Sequence, residues 1–257
     1  MILRDLHTHT TFCDGENTAE EMVIAAIDKG MKTLGFSGHS YTPFDKGYCM
    51  SSEKTQAYRR EILRLKEKYQ DKIEILCGIE QDFYSDSPDA KYDYVIGSVH
   101  YVKVKDGFLS VDDTSEKLIS GVNEHFGGDF LLLCEAYFET VAEVAEKTKC
   151  DIIGHLDLVA KFNGGGNELF DEKNPRYIKA AESAIKRLLK SGKPFEVNTG
   201  AIHRGYRSVP YPAPHLLKLI YENGGKVIMS SDSHIAKTLC YEFPKWQKFC
   251  EEIGFKL

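Results

Sequence analysis

The chain has 257 residues, 42% apolar and 28% charged, an ordinary globular composition that excludes a disordered tail or a coiled coil. Its 39 acidic residues against 33 basic ones give a net charge of −6, which argues against nucleic acid as a partner because phosphate backbones are met by basic faces. No apolar run approaches the ~20 residues of a membrane span, and Met1-Ile2-Leu3-Arg4-Asp5 carries charge where a signal peptide needs an apolar stretch, so a cytoplasmic location is expected.

Short apolar runs alternate with helix-like segments. Residues 2–8 read as the first strand. Thr18-Ala19-Glu20-Glu21 then forms a capping box, and Gly30 closes the helix it opens. A second strand is expected over 32–37, and a helix over 53–69 with Tyr58, Ile62, Leu65 and Tyr69 on one face. Residues 73–79, 92–99 and 151–155 give the third, fourth and fifth strands. A helix over 173–190, stopped by Gly192, leads to a sixth strand at 194–198. Another over 213–223, stopped by Gly224, leads to a seventh at 226–231. Seven strands with intervening helices indicate an α/β fold on a parallel sheet, and with no repeat or linker the chain reads as one unit, 1–257. The long connections 41–52, 84–91, 103–113 and 161–173 are where a lid would sit. Gly164-Gly165-Gly166 lacks a strand–turn–helix context and reads as a flexible loop. The seven cysteines (Cys13, Cys49, Cys77, Cys134, Cys150, Cys240, Cys250) include no CxxC pair and are expected to be reduced and mostly buried.

Chemistry gathers at the strand ends. His7 and His9 end the first strand, His39 follows the second and Glu80 the third. His100 ends the fourth, His155 the fifth, Glu196 with Asn198 the sixth, and Asp232 with His234 the seventh. In a parallel sheet all carboxyl ends share one edge, and closing that sheet into a barrel converges them on one mouth. An open sheet would spread the seven ends over about 30 Å, so a barrel is expected. The strand period of two sends His7 and His9 to one side, and Asp232-Ser233-His234 repeats that geometry. A His and carboxylate set without thiolate suits Zn²⁺, Mn²⁺ or Fe²⁺. His125 and His215 read as surface side chains, and His203 as either solvated or substrate-facing.

These residues resemble the PHP (polymerase and histidinol phosphatase) family, most closely its stand-alone histidinol-phosphatase branch. The matching motifs are Asp5-Leu6-His7-Thr8-His9 with Asp14-Gly15, Gly38-His39-Ser40, Gly78-Ile79-Glu80, Gly97-Ser98-Val99-His100, Gly154-His155-Leu156-Asp157, Glu196-Val197-Asn198-Thr199 and Ser231-Asp232-Ser233-His234. The resemblance implies a distorted (β/α)7 barrel, similar to a TIM barrel, with three metal ions at its C-terminal mouth. It implies that His7, His9, Glu80 and Asp232 hold one ion, that Glu80 bridges to a second held by His100 and His155, and that Asp14, His39 and His234 hold the third. Many members carry Asp before the histidine of the second motif; here that residue is Gly38, and Asp157 is a candidate to orient an imidazole instead.

The implied reaction is hydrolysis of L-histidinol phosphate in histidine biosynthesis. Alternatives are another small phosphate ester, such as a nucleotide or sugar phosphate, or a non-catalytic partner module. Metal ions lower the pKa of bound water toward ~7, which accounts for the lack of a separate catalytic triad. Lys161, after the fifth strand, and His203, Arg204 and Arg207, after the sixth, are the candidates to grip phosphate, with His203 where many members carry Arg. Asp82, Tyr84, Tyr101 and Tyr137 are candidates for the lip that receives the leaving group. Three divalent ions would outweigh Asp14, Glu80 and Asp232, so a chain of net negative charge can present a cationic mouth.

Overall fold

The protein is described from a computed structural model, covering residues 3–86, 91–164, 166 and 168–257. In chain order the elements are β1 (Arg4–Asp5), α1 (Ala19–Asp28), β2 (Thr33–Phe36), α2 (Ser52–Lys68), β3 (Glu74–Asp82), β4 (Tyr94–Ser98), β5 (Tyr101–Val104) and β6 (Gly107–Ser110). There follow α3 (Ser115–Phe126), α4 (Phe130–Val141), α5 (Val144–Thr148), β7 (Ile152–Ile153), α6 (Pro175–Leu188), β8 (Phe195–Asn198), α7 (Gly200–His203), α8 (Pro214–Glu222), β9 (Val227–Ser230) and α9 (Phe243–Ile253).

Seven strands form one sheet in the order β1-β2-β3-β4-β7-β8-β9, with every neighbouring pair parallel. The expected strands are all present, most of them shorter than expected; β3 instead runs past the expected end at residue 79 and takes Glu80 and Asp82 into its ladder. The sheet closes into a nearly complete barrel across a seam between β1 and β9. Past the ends of those strands the backbone bridges the seam at Thr8 and Ser233, where the His9 amide donates to Ser233 O (2.8 Å) and the Ser233 amide to His7 O (3.1 Å). Lower down, the fully buried Asp5 carboxylate does the closing. Its Oδ1 accepts from the backbone amides of Ser231 (3.1 Å) and His7 (3.4 Å), and its Oδ2 from the Cys240 amide (3.0 Å) and the Ser231 hydroxyl.

The helices begin and end where local chemistry dictates. Thr18 and Glu21 make the reciprocal capping box of α1. Gly192 and Gly224 take the left-handed φ values of 69° and 78° that stop the segments before β8 and β9. Tyr58, Ile62 and Leu65 form the buried stripe of α2. One apolar cluster joins α1 and α2 to β2 and β3, and a larger one joins α4, α6 and α8 to β7 and β8. Inside the barrel a third cluster of Leu6, Tyr94, Ile96 and Ile152 fills the floor. The Tyr94 ring lies where a Cβ on Gly78 or Gly35 would stand, 2.3 Å and 2.4 Å from the nearest atom, so both glycines are required by this close approach. Its hydroxyl donates toward Leu6 O (2.5 Å) and Phe36 O (3.0 Å).

One expected connection is folded. Within 103–113, β5 and β6 form an antiparallel hairpin beside the mouth, registered from Tyr101 opposite Ser110 to Val104 opposite Gly107. All seven cysteines are free, six of them buried. No helix among the described residues is long and apolar enough to cross a membrane.

Candidate metal centre

The strand ends bring the expected imidazoles and carboxylates into one buried group. His7 and His9 leave β1 on the same side, their ring centroids 5.2 Å apart. From β3, Glu80 reaches the centre. Its Oε2 lies 2.9 Å from His39 Nδ1, 3.1 Å from His7 Nε2 and 3.5 Å from His9 Nε2, while its Oε1 lies 2.9 Å from His155 Nε2 and 3.4 Å from His100 Nε2. After β9, Asp232 takes a left-handed φ of 50° and sets its Oδ1 3.2 Å from His9 Nε2 and 3.7 Å from His7 Nε2. Asp14 Oδ2 lies 3.2 Å from His234 Nε2 and 3.6 Å from His39 Nε2.

Three donor groups emerge, each with ligand atoms within 4.8 Å of one another: His9, Asp14, His39 and His234; His7, His9 and Asp232; and His39, Glu80 and His100. They overlap at His9 and His39, whereas the partition implied by family resemblance shares Glu80 instead. Buried His7 Nε2, His9 Nε2 and Glu80 Oε2 are close in distance but meet no hydrogen-bond partner in direction. Buried polar atoms left this way are costly unless something else satisfies them. Atoms that face a shared point and not each other fit a cation.

The outer nitrogens are tied down from behind. His7 Nδ1 lies 2.7 Å from Glu196 Oε1, and Glu196 Oε2 accepts the His155 amide at 3.1 Å, so one fully buried carboxylate ties β1 and β7 together through β8. Asp82 Oδ2 takes both the amide and Nδ1 of His100 at 3.1 Å. Asp157 does not orient an imidazole: its Oδ2 accepts the Ala213 amide at 3.0 Å, and His155 Nδ1 has no hydrogen-bond partner among the described residues. Met50 Cε would lie 3.1 Å from a Cβ at Gly38, which fills the place of the missing Asp.

Charge within the group is strongly coupled. Burial works to discharge His7, but Glu196, Glu80 and Asp232 outweigh it and hold the imidazole well above its ordinary range. For His9 burial prevails, reinforced by His234 and His39, and the imidazole falls to about 3. Burial would raise Glu80, yet His39 and His7 hold it well below the ordinary carboxylate range. Asp232 is likewise held low against burial, by Arg204 first and then His7.

The centre lies at the base of a cavity of about 560 Å³. Among the phosphate-clamp candidates, Lys161 and Arg204 line this mouth. Arg204 Nη2 lies 3.1 Å from Asp232 Oδ2, and Lys161 Nζ donates to Asp112 O at 2.6 Å and stands over the Tyr206 ring. The other two are not brought there. Arg207 is buried, its guanidinium paired with both Glu172 oxygens (3.1 Å and 3.0 Å), because a connection earlier in the chain folds over it. His203 turns away from the cavity, against the ring of Tyr241.

Of the lip candidates, Tyr101 lines the cavity. Asp82 serves His100, Tyr84 packs on Phe83 and Phe108, and Tyr137 is buried with its hydroxyl toward Val99 O. His215 is half-buried, beside the Tyr177 ring and at the edge of a second, open pocket away from the metal centre. The cavity also exposes Asp45, Tyr48, Ser110, Asp112, Asp113 and Lys117, from connections, the hairpin or the first turn of α3, where no strand-end signal marks them.

A family model described as PHP domain matches residues 5–200. A probable histidinol-phosphatase of Schizosaccharomyces pombe is 30% identical over 253 residues, spanning 89% of this chain and 79% of its own length. A crystal structure of histidinol phosphate phosphatase from Lactococcus lactis, complexed with zinc, L-histidinol and phosphate, is 25% identical with a TM-score of 0.71, covering 99% of this chain and 94% of that one. A structure from Listeria monocytogenes gives a TM-score of 0.79 at 23% identity, over 95% of this chain and 99% of that one, and agrees in fold.

Proposed function

The chain belongs to the PHP-domain family, and from that premise we propose that it is a metal-dependent phosphomonoesterase that hydrolyses L-histidinol phosphate to L-histidinol and phosphate, a step of histidine biosynthesis. The observation that carries the reading is the set of buried, unpartnered donor atoms on His7, His9 and Glu80 facing one point at the base of an open cavity. In this reading residues 1–257 act as one catalytic unit. His7, His9, Glu80 and Asp232 would hold one divalent ion, Glu80, His100 and His155 a second, and Asp14, His39 and His234 a third.

Bound divalent cations supply Lewis-acid charge at the phosphoryl oxygens and lower the pKa of water toward ~7. The chain's own residues arrange the rest. Glu196 fixes His7 through Nδ1 and Asp82 fixes His100 in the same way, so that each Nε2 is aimed inward and would give up its proton to a bound cation. Arg204, anchored on Asp232, presents its remaining N–H groups to the phosphate, and Lys161 adds a second positive charge from the connection after β7. Water attacks phosphorus, the ester P–O bond breaks, and the alcohol leaves carrying a proton. The barrel floor excludes other water from behind.

The test is phosphate release from L-histidinol phosphate beside a panel of nucleotide and sugar phosphates, with metal content measured on the same sample. Turnover of L-histidinol phosphate at least tenfold above the panel is expected. Equal or slower turnover refutes the substrate assignment, and a purified active protein without metal refutes the mechanism.

A further inference from the structure

Arg204, Lys161 and Lys117 share the rim of the cavity with three carboxylates from outside the metal centre, Asp45, Asp112 and Asp113. Two of the three are already engaged. Asp113 is neutralised by Lys117, whose Nζ donates to Oδ2 at 2.6 Å, although no donor among the described residues reaches its Oδ1. Asp45 takes the Tyr101 hydroxyl (2.9 Å) on one oxygen and the Gly47 amide (3.2 Å) on the other.

Asp112 differs. Ser110 donates to its Oδ1 at 3.1 Å, but among the described residues no donor lies within hydrogen-bond distance of Oδ2. Lys161 Nζ stands 3.8 Å from that oxygen and makes its short bond to the main-chain carbonyl of the same residue instead. The open carboxylate oxygen is therefore beside the lysine that faces the phosphate, and its side chain is a quarter exposed, into the cavity.

That placement matches one part of the substrate. In L-histidinol phosphate the amine sits on the carbon next to the one that bears the ester oxygen. Its ammonium can stand only a few ångströms from the phosphate, so a carboxylate that reads it has to lie beside the phosphate clamp, where Asp112 is. The imidazole would then lie within reach of two aromatic rings that line the cavity, Tyr48, edge-on to His39 (4.7 Å), and Tyr101, 6.5 Å from Tyr48. Resting on the histidinol-phosphatase reading above, we propose that Asp112 is the specificity-determining residue that pairs with the substrate ammonium and selects phosphate esters of vicinal amino alcohols over amine-free ones.

The experiment compares kcat/KM for L-histidinol phosphate with that for the phosphate ester of the deaminated alcohol, identical but for the amine, in wild type, Asp112→Asn and Asp112→Glu. A charged hydrogen bond in this setting is worth a preference of about 10- to 100-fold for the amine in wild type. The ratio is expected to fall to within about threefold in D112N and to be largely kept in D112E. Metal content equal to wild type shows that the centre is intact. A ratio that survives in D112N overturns the proposal, as does a proportional loss on both substrates. Equal inhibition of the wild type by L-histidinol and by the deaminated alcohol overturns it without any variant. A wild type that turns over L-histidinol phosphate no faster than generic esters refutes the functional reading itself; one that prefers it, with the preference unmoved by D112N, refutes only the role of Asp112.

Discussion

Replacing Asp5 by Asn tests whether a side chain, and not a strand ladder, closes this barrel. The two residues have nearly the same shape, so the change is one of hydrogen-bonding capacity. The carboxylate receives three backbone amides and one hydroxyl, two donors on each oxygen. An asparagine keeps one oxygen. If that oxygen faces the Ser231 and His7 amides, the new NH2 meets the Cys240 amide head-on across the 3.0 Å now spanned by a hydrogen bond. If the side chain flips, the Ser231 and His7 amides lose their acceptor instead. The first arrangement is the less costly, since the Ser231 hydroxyl can turn to accept, and it leaves one buried backbone N–H unsatisfied and repelled. Such a group costs about 1–3 kcal/mol, so the expected loss is about 2–3 kcal/mol. At this chain length that corresponds to roughly 4–12 °C in Tm. Urea unfolding of the metal-loaded protein reads the stability, and amide exchange at Cys240 and Ser231 reads the location. A variant within about 0.5 kcal/mol of wild type, with both amides still protected, would show that the seam does not depend on this carboxylate.

Three other outcomes follow from the same geometry. His9→Ala and Asp232→Asn should each lower kcat by about a thousandfold or more, equivalent to ~4 kcal/mol of barrier, in steady-state phosphate release; Asn tolerates the left-handed φ of 50° at position 232, so this variant isolates the charge. Chelation should abolish turnover and lower the melting temperature, by about 4 kcal/mol of stability for each ion present at a thousandfold its Kd, with both recovered on adding zinc; unchanged melting would contradict the buried donor set. Gly78→Ala places a methyl 2.3 Å from the Tyr94 ring and should cost about 2–3 kcal/mol in chemical denaturation through overpacking, and a neutral result would mean that the ring can move aside.

Much of the site is legible because two periodicities coincide. Strand alternation places His7 with His9, and the parallel sheet puts His39, Glu80, His100, His155, Asp232 and His234 at one edge. What the sequence hides depends on contacts between distant segments. Arg207 has the look of a phosphate ligand, and only the fold reveals that Glu172, 35 residues earlier, already holds it. Glu196 is visible as a strand-end carboxylate, but nothing local says that it faces His7, 189 residues away, and not a metal. The β5–β6 hairpin does carry a signal, Asp106-Gly107 between two apolar runs. A reading built on seven parallel strands has no place for an antiparallel pair, so the segment passes as a connection. Asp112 lies just after that hairpin and shares the same obscurity.

The Tyr94 plug also bears on traffic. With the lower half of the barrel filled by its ring and the apolar side chains around it, the catalytic chamber is a cul-de-sac: whatever enters by the rim must back out the same way. On the proposed function the phosphate end of the substrate would go in first, toward the metal centre at the base, and the alcohol would block its exit until it had gone. Departure would thereby be ordered, organic product before inorganic, and the last occupant of each cycle would be the phosphate beside Arg204 and Lys161.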